Sequence, residues 1–259
     1  MDQDPLTTAF HRDFDLFEPL DAAALRAVFR LRYEVYCREF HFEREEDCPE
    51  EQEIDEYDAD SWHCVLQHRS SGTAAGCVRI VPASGRGSHT ELPMEKYCRG
   101  SFLDVPERPD RLDRGLVCEV SRLAVHGRFR RRRGEAATPR GDVRTRQIAA
   151  EQYRSFPMLA LGLFMGATAM ATLHGKEHAF AMMEPSLARI LRRTGLPMAQ
   201  VGRLQEYHGR RAAFYIHRET ASEGIERSEF LRDLYHHAYD IFTGNMEPPA
   251  DRVSRVRAA

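Results

Sequence analysis

Alternating apolar and polar residues predict a series of short strands along the chain. The runs WHCVLQH and AAGCVRIVP lie on either side of the turn-forming SSG, so they are predicted to form a hairpin. A third run, VCEVSRLAV, alternates in the same way but carries Glu119 and Arg122. The strands predicted from this pattern are 14–17, 62–68, 74–82, 117–125 and 178–184, followed by a pair within 198–218.

Apolar residues at helical spacing predict helices between these strands. Asp21 is a suitable N-cap for AAALRAVFRLRYEVYCREF, and Gly195 is a suitable C-cap for PSLARILRRTG. A long apolar helix is predicted after Ser155, and an amphipathic helix over 228–242. This order of elements predicts an α/β domain over 1–243, in which helices cover both faces of a mixed, mostly antiparallel sheet. A basic insertion at about 127–150 and a flexible tail at 244–259 complete the expected organisation.

The apolar segment 155–175 contains no charged residue and includes a GxxxG pattern at Gly162 and Gly166. Such a segment could span a bilayer or form a core helix that is apolar all round. It is rich in Ala, Gly and Thr and barely long enough to span, so we expect a core helix and no membrane span.

Composition places the chain among globular proteins, with 42% apolar and 30% charged residues and a net charge of −3. The six cysteines form no CxxC pair and the opening MDQDPLTTAF does not read as a signal peptide, so the cytoplasm is the expected location. Around the basic run that starts at Arg128, Phe129 is the only aromatic residue, so nucleic acid is not expected as a partner. No His, Cys or carboxylate spacing suggests a metal site.

Charged residues interrupt two of the predicted strands, which is costly unless the charges are paired. On strand 117–125, Glu119 and Ser121 are expected on one face with Leu123 and Val125, and Arg122 on the other. Arg79 interrupts the strand 74–82, and the loop motif QEIDEYD supplies counter-charges at Glu53, Asp55 and Asp58. These residues indicate either a structural ion-pair network or a substrate pocket with Glu119 as general base, and the sequence alone does not separate the two.

Four motifs in order, LRYEVY, the E-x-D-x-x-D of QEIDEYD, GCVRIVP and EVSRLAV, resemble those of acyl-homoserine-lactone synthases, a branch of the GNAT-like acyltransferases. The stretch FAMMEPSLARILRRTGLPMAQVGRLQEYHGRRAAFYI extends the likeness to about Arg218. YHGRR and the basic run look still closer to acyltransferases associated with the PEP-CTERM/exosortase system, which are similar to long-chain N-acyl amino acid synthases. The resemblance implies a GNAT-like fold.

The resemblance also implies roles for particular residues. Glu119 matches the carboxylate that helps to deprotonate the attacking amine, and Ser121 is expected beside it as a second catalytic residue. A backbone N–H near Leu123 is expected to stabilise the oxyanion, and His208 is either a substrate contact or a turn histidine. Substrate-binding positions are expected at Arg32, Tyr36, Phe42, Glu53, Asp55, Asp58, Arg79, Arg122, Leu123, Val125 and His208.

The implied reaction is transfer of a fatty acyl group from a thioester to the amino group of an amino acid or related amine. Phe42 stands where the lactone synthases have tryptophan, and the basic insertion is longer than theirs, so S-adenosylmethionine is not the expected acceptor. The small residues Gly162, Gly166 and Ala167 either leave space for the acyl chain or pack tightly.

The strand 117–125 is not followed by the glycine-rich turn that binds a coenzyme A pyrophosphate. The expected thioester partner is therefore acyl carrier protein, with acyl-CoA as the alternative and no tightly bound cofactor. The expected docking residues for this acidic carrier are Arg128, Arg130, Arg131, Arg132 and Arg133, unless they form only a solvated loop. Three other functions remain open: a lactone synthase that uses S-adenosylmethionine, a CoA-dependent N-acetyltransferase, and a non-catalytic lipid- or carrier-binding module.

Overall fold

The computed structural model describes residues 5–84, 91–130 and 156–245. Its centre is an eight-stranded sheet with the order β1-β2-β3-β4-β5-β8-β6, and β7 pairs with β8. The strands are β1 (Phe14–Phe17), β2 (Trp62–His68), β3 (Ala74–Pro82), β4 (Val117–Val125), β5 (His178–Met183), β6 (Ala199–Gln200), β7 (Gln205–Glu206) and β8 (Arg210–His217). Within these residues only the β4–β5 pair is parallel. The predicted fold class is confirmed.

Helices cover both faces of the sheet. The helices are α1 (Pro5–Asp13), α2 (Ala22–Arg32), α3 (Pro93–Cys98), α4 (Gly127–Arg130), α5 (Phe156–Leu173), α6 (Pro185–Thr194), α7 (Arg218–Glu226) and α8 (Glu229–Phe242). Helix α5 packs in the main core with α8 on one face, and α2 lies against β3 and β4 on the other. Helices α1, α3, α4 and α7 were not predicted from the pattern.

Helix α2 begins where predicted and then changes its winding. The Asp21 carboxylate accepts hydrogen bonds from the N–H groups of Ala23 and Ala24, both at 2.8 Å. The helix continues directly as a π-helical segment, Tyr33–Glu39. In this segment the Tyr36 hydroxyl donates a 2.8 Å hydrogen bond to the carbonyl oxygen of Leu123, which joins the helix to β4.

Helix α5 is a core helix, as predicted. Leu159, Leu163 and Met165 are fully buried. A Cβ added at Gly166 would lie 2.7 Å from Cys64 Sγ, and one at Gly162 would overlap the Phe10 ring. The two glycines therefore allow close packing rather than leaving space. In the described part of the chain no helix is both long and apolar enough to cross a membrane.

A β-bulge corrects the predicted faces of β4. Arg79 pairs with Ser121 and Cys77 pairs with Ala124, so Arg122 and Leu123 together oppose one residue of β3. Arg122 has a φ of 51°, in the left-handed region. The extra residue reverses the alternation, so Arg122 joins Ser121 on the face that meets the acidic loop. Leu123 and Val125 instead pack towards the α5 core, so their predicted placement beside Glu119 was wrong.

Candidate active site

Strands β4 and β5 separate shortly after they begin. Their parallel pairing covers three pairs and ends where Glu119 meets Phe180. Beyond that point lies a cleft of ≈ 110 Å³, with Ser121 and Leu123 in one wall and Met182 in the other. The separation predicted for these two strands is confirmed. Further expected substrate contacts also line this cleft, namely Tyr36, Phe42, Arg122 and Val125.

Beside the cleft, Arg32 is held by the acidic loop. Its side chain is fully buried and donates through Nε to Glu53 at 2.5 Å. Its two terminal nitrogens bind the Asp58 carboxylate in bidentate fashion at 2.6 and 3.0 Å. Burial alone would raise the pKa of Asp58, but the guanidinium groups of Arg32 and Arg79 hold it well below its usual range. Arg32 is therefore part of a structural network and does not line the cleft.

Arg79 and Arg122 extend this network to the sheet. Arg79 donates to Asp55 at 2.5 Å, to Asp58 at 2.9 Å and to the Ser121 hydroxyl at 3.2 Å. Arg122 lies 3.0 Å from carboxylate oxygens of both Glu53 and Asp55. The ion-pair network of the first interpretation is therefore present, and it reaches the cleft through Ser121 and Arg122, which line its wall.

Glu119 differs from these carboxylates because it forms no ion pair with any residue that the structure describes. Its side chain is buried and accepts a 2.8 Å hydrogen bond from the Met94 N–H at the start of α3. Burial raises the pKa of Glu119 from 4.5 to about 7, against the lowering effects of the Met94 hydrogen bond, Arg79 and Arg122. Glu119 itself is not a lining residue, whereas its neighbours Val120 and Ser121 are. Glu119 thus stands at the last paired position before the strands separate, with its carboxylate turned to the Met94 N–H.

His208 lies near the cleft at the turn between β7 and β8. It has a φ of 50°, and the ring lies 5.5 Å from the Phe42 ring. Its Nε2 is 3.5 Å from a Glu43 oxygen. Burial, with Arg211 and Arg122, lowers the pKa of His208 to about 4, so the ring is neutral near pH 7. His208 is thus a turn histidine that also supports Phe42, a residue of the cleft wall.

Sequence reasoning missed Arg211, which lines the cleft on β8. Its guanidinium carbon lies 5.4 Å from the centre of the Phe42 ring. The motif YHGRR drew attention to this position, but the sequence gives no sign of which of the two arginines faces inward. The structure shows that Arg210 is exposed and that Arg211 is partly buried.

The expected docking arginines do not share one environment. Arg128 is exposed on α4. Arg130 is buried, forms an ion pair with Glu39 and lies 4.4 Å over the Phe40 ring, so its assignment to a docking surface was wrong. Its positive charge is paired with Glu39 within the protein. Arg131, Arg132 and Arg133 lie outside the described residues.

A second cavity of ≈ 50 Å³ lies between the sheet and α5. It shares Val120, Phe164 and Ala181 with the cleft, so the two spaces adjoin. Ala167 and Ala171 line its α5 side. The space expected beside the small residues of α5 is therefore at Ala167, and not at the two glycines.

Three potential metal ligands meet at the other end of β5. Ligand atoms of Glu177, His178 and His217 lie within 4.8 Å of one another. Glu177 is paired with Arg218, and His178 Nδ1 lies 3.0 Å from the Tyr215 hydroxyl. These groups already have protein partners and lie outside the cleft.

Comparisons with known proteins agree with this geometry. Residues 31–139 match the family model of the acetyltransferase (GNAT) domain. No curated protein is significantly similar to the chain in sequence.

Three solved structures show the same architecture. BjaI, a CoA-dependent acyl-homoserine lactone synthase solved with SAM and isopentyl-CoA, has a TM-score of 0.55 and 18% identity, over 95% of this chain and 99% of that one. LasI, an AHL synthase, has a TM-score of 0.53 and 17% identity, over 79% and 89%. FeeM, an N-acyl amino acid synthase from uncultured soil microbes, has a TM-score of 0.52 and 15% identity, over 83% and 94%. The fold is therefore that of the GNAT acyltransferases, and the domain match over 31–139 supports an acyltransferase.

Proposed function

We propose that the protein is an N-acyltransferase that moves a fatty acyl group from a thioester to the amino group of an amino acid or related amine. The observation that carries this proposal is the separation of β4 from β5 directly after Glu119, a buried carboxylate that forms no ion pair within the described part of the chain. The cleft gives an extended thioester a place beside the sheet edge. The carboxylate gives the reaction a base next to the point where the two strands separate.

Glu119 is the proposed base. An ammonium group must lose a proton before its nitrogen can attack a carbonyl carbon, and a base with a pKa near the working pH is best suited to accept it. A pKa of about 7 gives Glu119 this property. Because the residue lies next to the point where the two strands separate, it takes the proton from the amine directly or through one water molecule.

Ser121 and Leu123 are the proposed groups at the reacting carbonyl. Attack forms the C–N bond, and collapse of the tetrahedral intermediate breaks the C–S bond and releases a thiol. The Leu123 carbonyl is fixed by Tyr36, which orients the bulged backbone whose N–H would stabilise the oxyanion. The Ser121 oxygen accepts from Arg79, which directs its own hydrogen away from that arginine and makes it available to the departing sulfur.

The second cavity is the proposed site of the acyl chain. It adjoins the cleft at Val120 and is lined mainly by apolar side chains. An acyl group whose carbonyl lies beside Leu123 would extend past Val120 towards Ala167. This arrangement favours a fatty acyl group over acetyl.

Acyl carrier protein is the proposed donor, in the cytoplasm. The sequence HGRFRRRRGEAATPRG after β4 lacks a pyrophosphate-binding turn, and Arg128 offers an exposed cation at this edge. The link to PEP-CTERM/exosortase systems belongs to the same proposal and is supported by the motif resemblance alone.

The test is an acylation assay with purified protein. Acyl carrier protein and coenzyme A thioesters of several chain lengths are incubated with the twenty amino acids, simple amines and S-adenosylmethionine, and the products are identified by mass spectrometry. We expect N-acyl amides. A lactone as the main product would assign the protein to signal synthesis instead, and bound thioester without any product would support a carrier-binding module.

A further inference from the structure

Arg211 stands apart from the other arginines around the cleft. Arg32, Arg79 and Arg122 are each paired with carboxylates of the acidic loop. Among residues 5–84, 91–130 and 156–245, Arg211 forms no ion pair, and its buried Nε has no hydrogen-bond partner. A guanidinium withdrawn from water without a counter-charge is unfavourable, so this position is suited to an anion that arrives with a ligand.

The surroundings of Arg211 also favour the binding of an anion at this position. The guanidinium lies 5.4 Å from the centre of the Phe42 ring, and the titratable groups that it interacts with include Tyr36, Tyr207, Arg122, Cys98 and His208. None of these groups is a carboxylate. The carboxylates of this region have other partners: Glu53 and Asp55 are bound by Arg122, and Glu43 lies 3.5 Å from His208. Arg122 and Arg211 thus both line the cleft, which also includes the carboxylate residue Glu184, and of these two arginines only Arg122 has carboxylate partners in the described chain.

Arg211 and Glu119 act on the same small region. The negative charge of Glu119 and the positive charge of Arg211 both act on the Cys98 thiol. Tyr207 is likewise influenced by Glu119 and is itself a neighbour of Arg211. Cys98 and Tyr207 therefore have both a proton acceptor and a cation in their surroundings. An α-amino acid carries groups that match both, because its amino group and its carboxylate are attached to the same carbon atom.

We propose that Arg211 binds the carboxylate of the acyl acceptor, so that the acceptor is an amino acid whose amino group is directed to Glu119. This inference rests on the proposed function, because it specifies the substrate of the same site. A phosphate of the thioester donor is the other anion that could reach the cleft. The two anions can be distinguished by changing Arg211. Loss of affinity for the acceptor indicates its carboxylate, and loss of affinity for the donor indicates the phosphate.

The test compares Arg211→Met with Arg210→Met, a matched change at the exposed neighbouring arginine that faces Glu206. Each protein is assayed with the best amino acid acceptor of the wild-type screen and with its carboxamide, at varied acceptor and varied donor concentrations. Methionine retains apolar contact with Phe42 and removes the charge. Thermal unfolding and a Lys variant at position 211 check that the site is otherwise intact.

We expect Arg211→Met to raise the KM for the amino acid by about 10- to 100-fold, as for the loss of a charge-assisted hydrogen bond. The KM for the carboxamide should change by less than about threefold, and Arg210→Met should alter neither. Arg211→Lys should restore part of the affinity for the amino acid.

Three results would overturn the inference while leaving the proposed function intact. The first is that Arg211→Met raises the KM for the amino acid and for its carboxamide equally. The second is that it raises only the KM for the thioester donor. The third is that the wild-type enzyme acylates the amino acid and its carboxamide equally well. If the wild-type protein acylates no amine at all, the proposed function fails as well.

Discussion

At the scale of single residues, the proposed reaction depends on the buried carboxylate of Glu119. We expect Glu119→Gln to lower kcat/KM by about 10²- to 10⁴-fold, the usual contribution of a general base. In the wild type, kcat/KM should rise with pH and level off above about 7, where Glu119 is ionised. The measurement is a pH–rate profile of both proteins.

The matched control for this variant is Glu56→Gln, a change at an exposed carboxylate in the acidic loop that contacts Lys96. It should leave both the rate and the profile unchanged. A Glu119→Gln enzyme that keeps full activity would show that another group accepts the proton.

The same residue predicts a pH dependence of stability. The folded protein disfavours ionised Glu119, so the protonated form contributes stability below pH 4.5, and this contribution is lost as the pH rises to about 7. Glutamine does not ionise, so the Glu119→Gln variant does not lose this stability as the pH rises. Its free energy of unfolding relative to wild type should therefore increase by roughly 3 kcal/mol between these pH values. Denaturant unfolding at several pH values measures the difference, and a constant difference would contradict the raised pKa.

Some of these residues could be predicted from the sequence and others could not. Glu119 was identified because a carboxylate within an apolar alternation is unusual, and the acidic loop because its carboxylates are closely spaced. The direction of Arg122 depends on a bulge, which changes the pairing of two strands without changing the pattern of either. Arg211 was missed because the lack of a counter-charge is a property of three-dimensional neighbours.

At the scale of elements, the glycines of α5 set its distance from the sheet. We expect Gly166→Ala to lower the free energy of unfolding by about 1–3 kcal/mol, since the new methyl group meets Cys64 and Leu16. Gly100→Ala is the control, because nothing lies within 4 Å of a Cβ at that position. Chemical denaturation of both variants measures the effect, and equal stabilities would show that α5 can shift.

The next residue of α5, Ala167, should control acyl length because it lines the second cavity. Ala167→Leu places a larger side chain in the second cavity, so turnover of long acyl donors should fall while short donors are retained. A series of thioesters of increasing chain length measures this shift in preference. An equal effect on all donors would place the acyl chain elsewhere.

Long and strongly patterned elements were the ones predicted correctly. The bounds of β2, β3 and β4 agree with the alternation, and Gly195 ends α6 with a φ of 116°, as a C-cap glycine does. The short helices α1 and α3 were missed because six to nine residues give too few turns to establish a helical spacing. The π-helical segment was read as ordinary helix, since its apolar positions continue those of α2.

At the scale of the whole molecule, the charge around the cleft should select the donor. We expect Arg128→Glu to raise the KM for acyl carrier protein thioesters while leaving that for coenzyme A thioesters unchanged, and the effect should weaken as salt is added. Arg227→Glu, at another exposed arginine, is the control. Identical effects on both donors would remove Arg128 from carrier docking.

The overall architecture followed from the order of elements, because hairpin-linked strands and one long crossover leave few arrangements. The sequence could not show that β4 and β5 pair over only three residues, since both read as full strands. The cleft lies beyond that short ladder, between the unpaired parts of the two strands.

The short ladder has a further consequence for how a donor binds. After Glu119, the side of the β4 main chain that faces β5 has no partner strand within the described residues. Its amide groups are therefore available to a ligand in the cleft. The pantetheine arm is extended and carries amides of its own. If the proposed thioester binds in the cleft, its arm would lie between β4 and β5 as a substitute strand, and the loaded protein would have a more continuous sheet than the empty one.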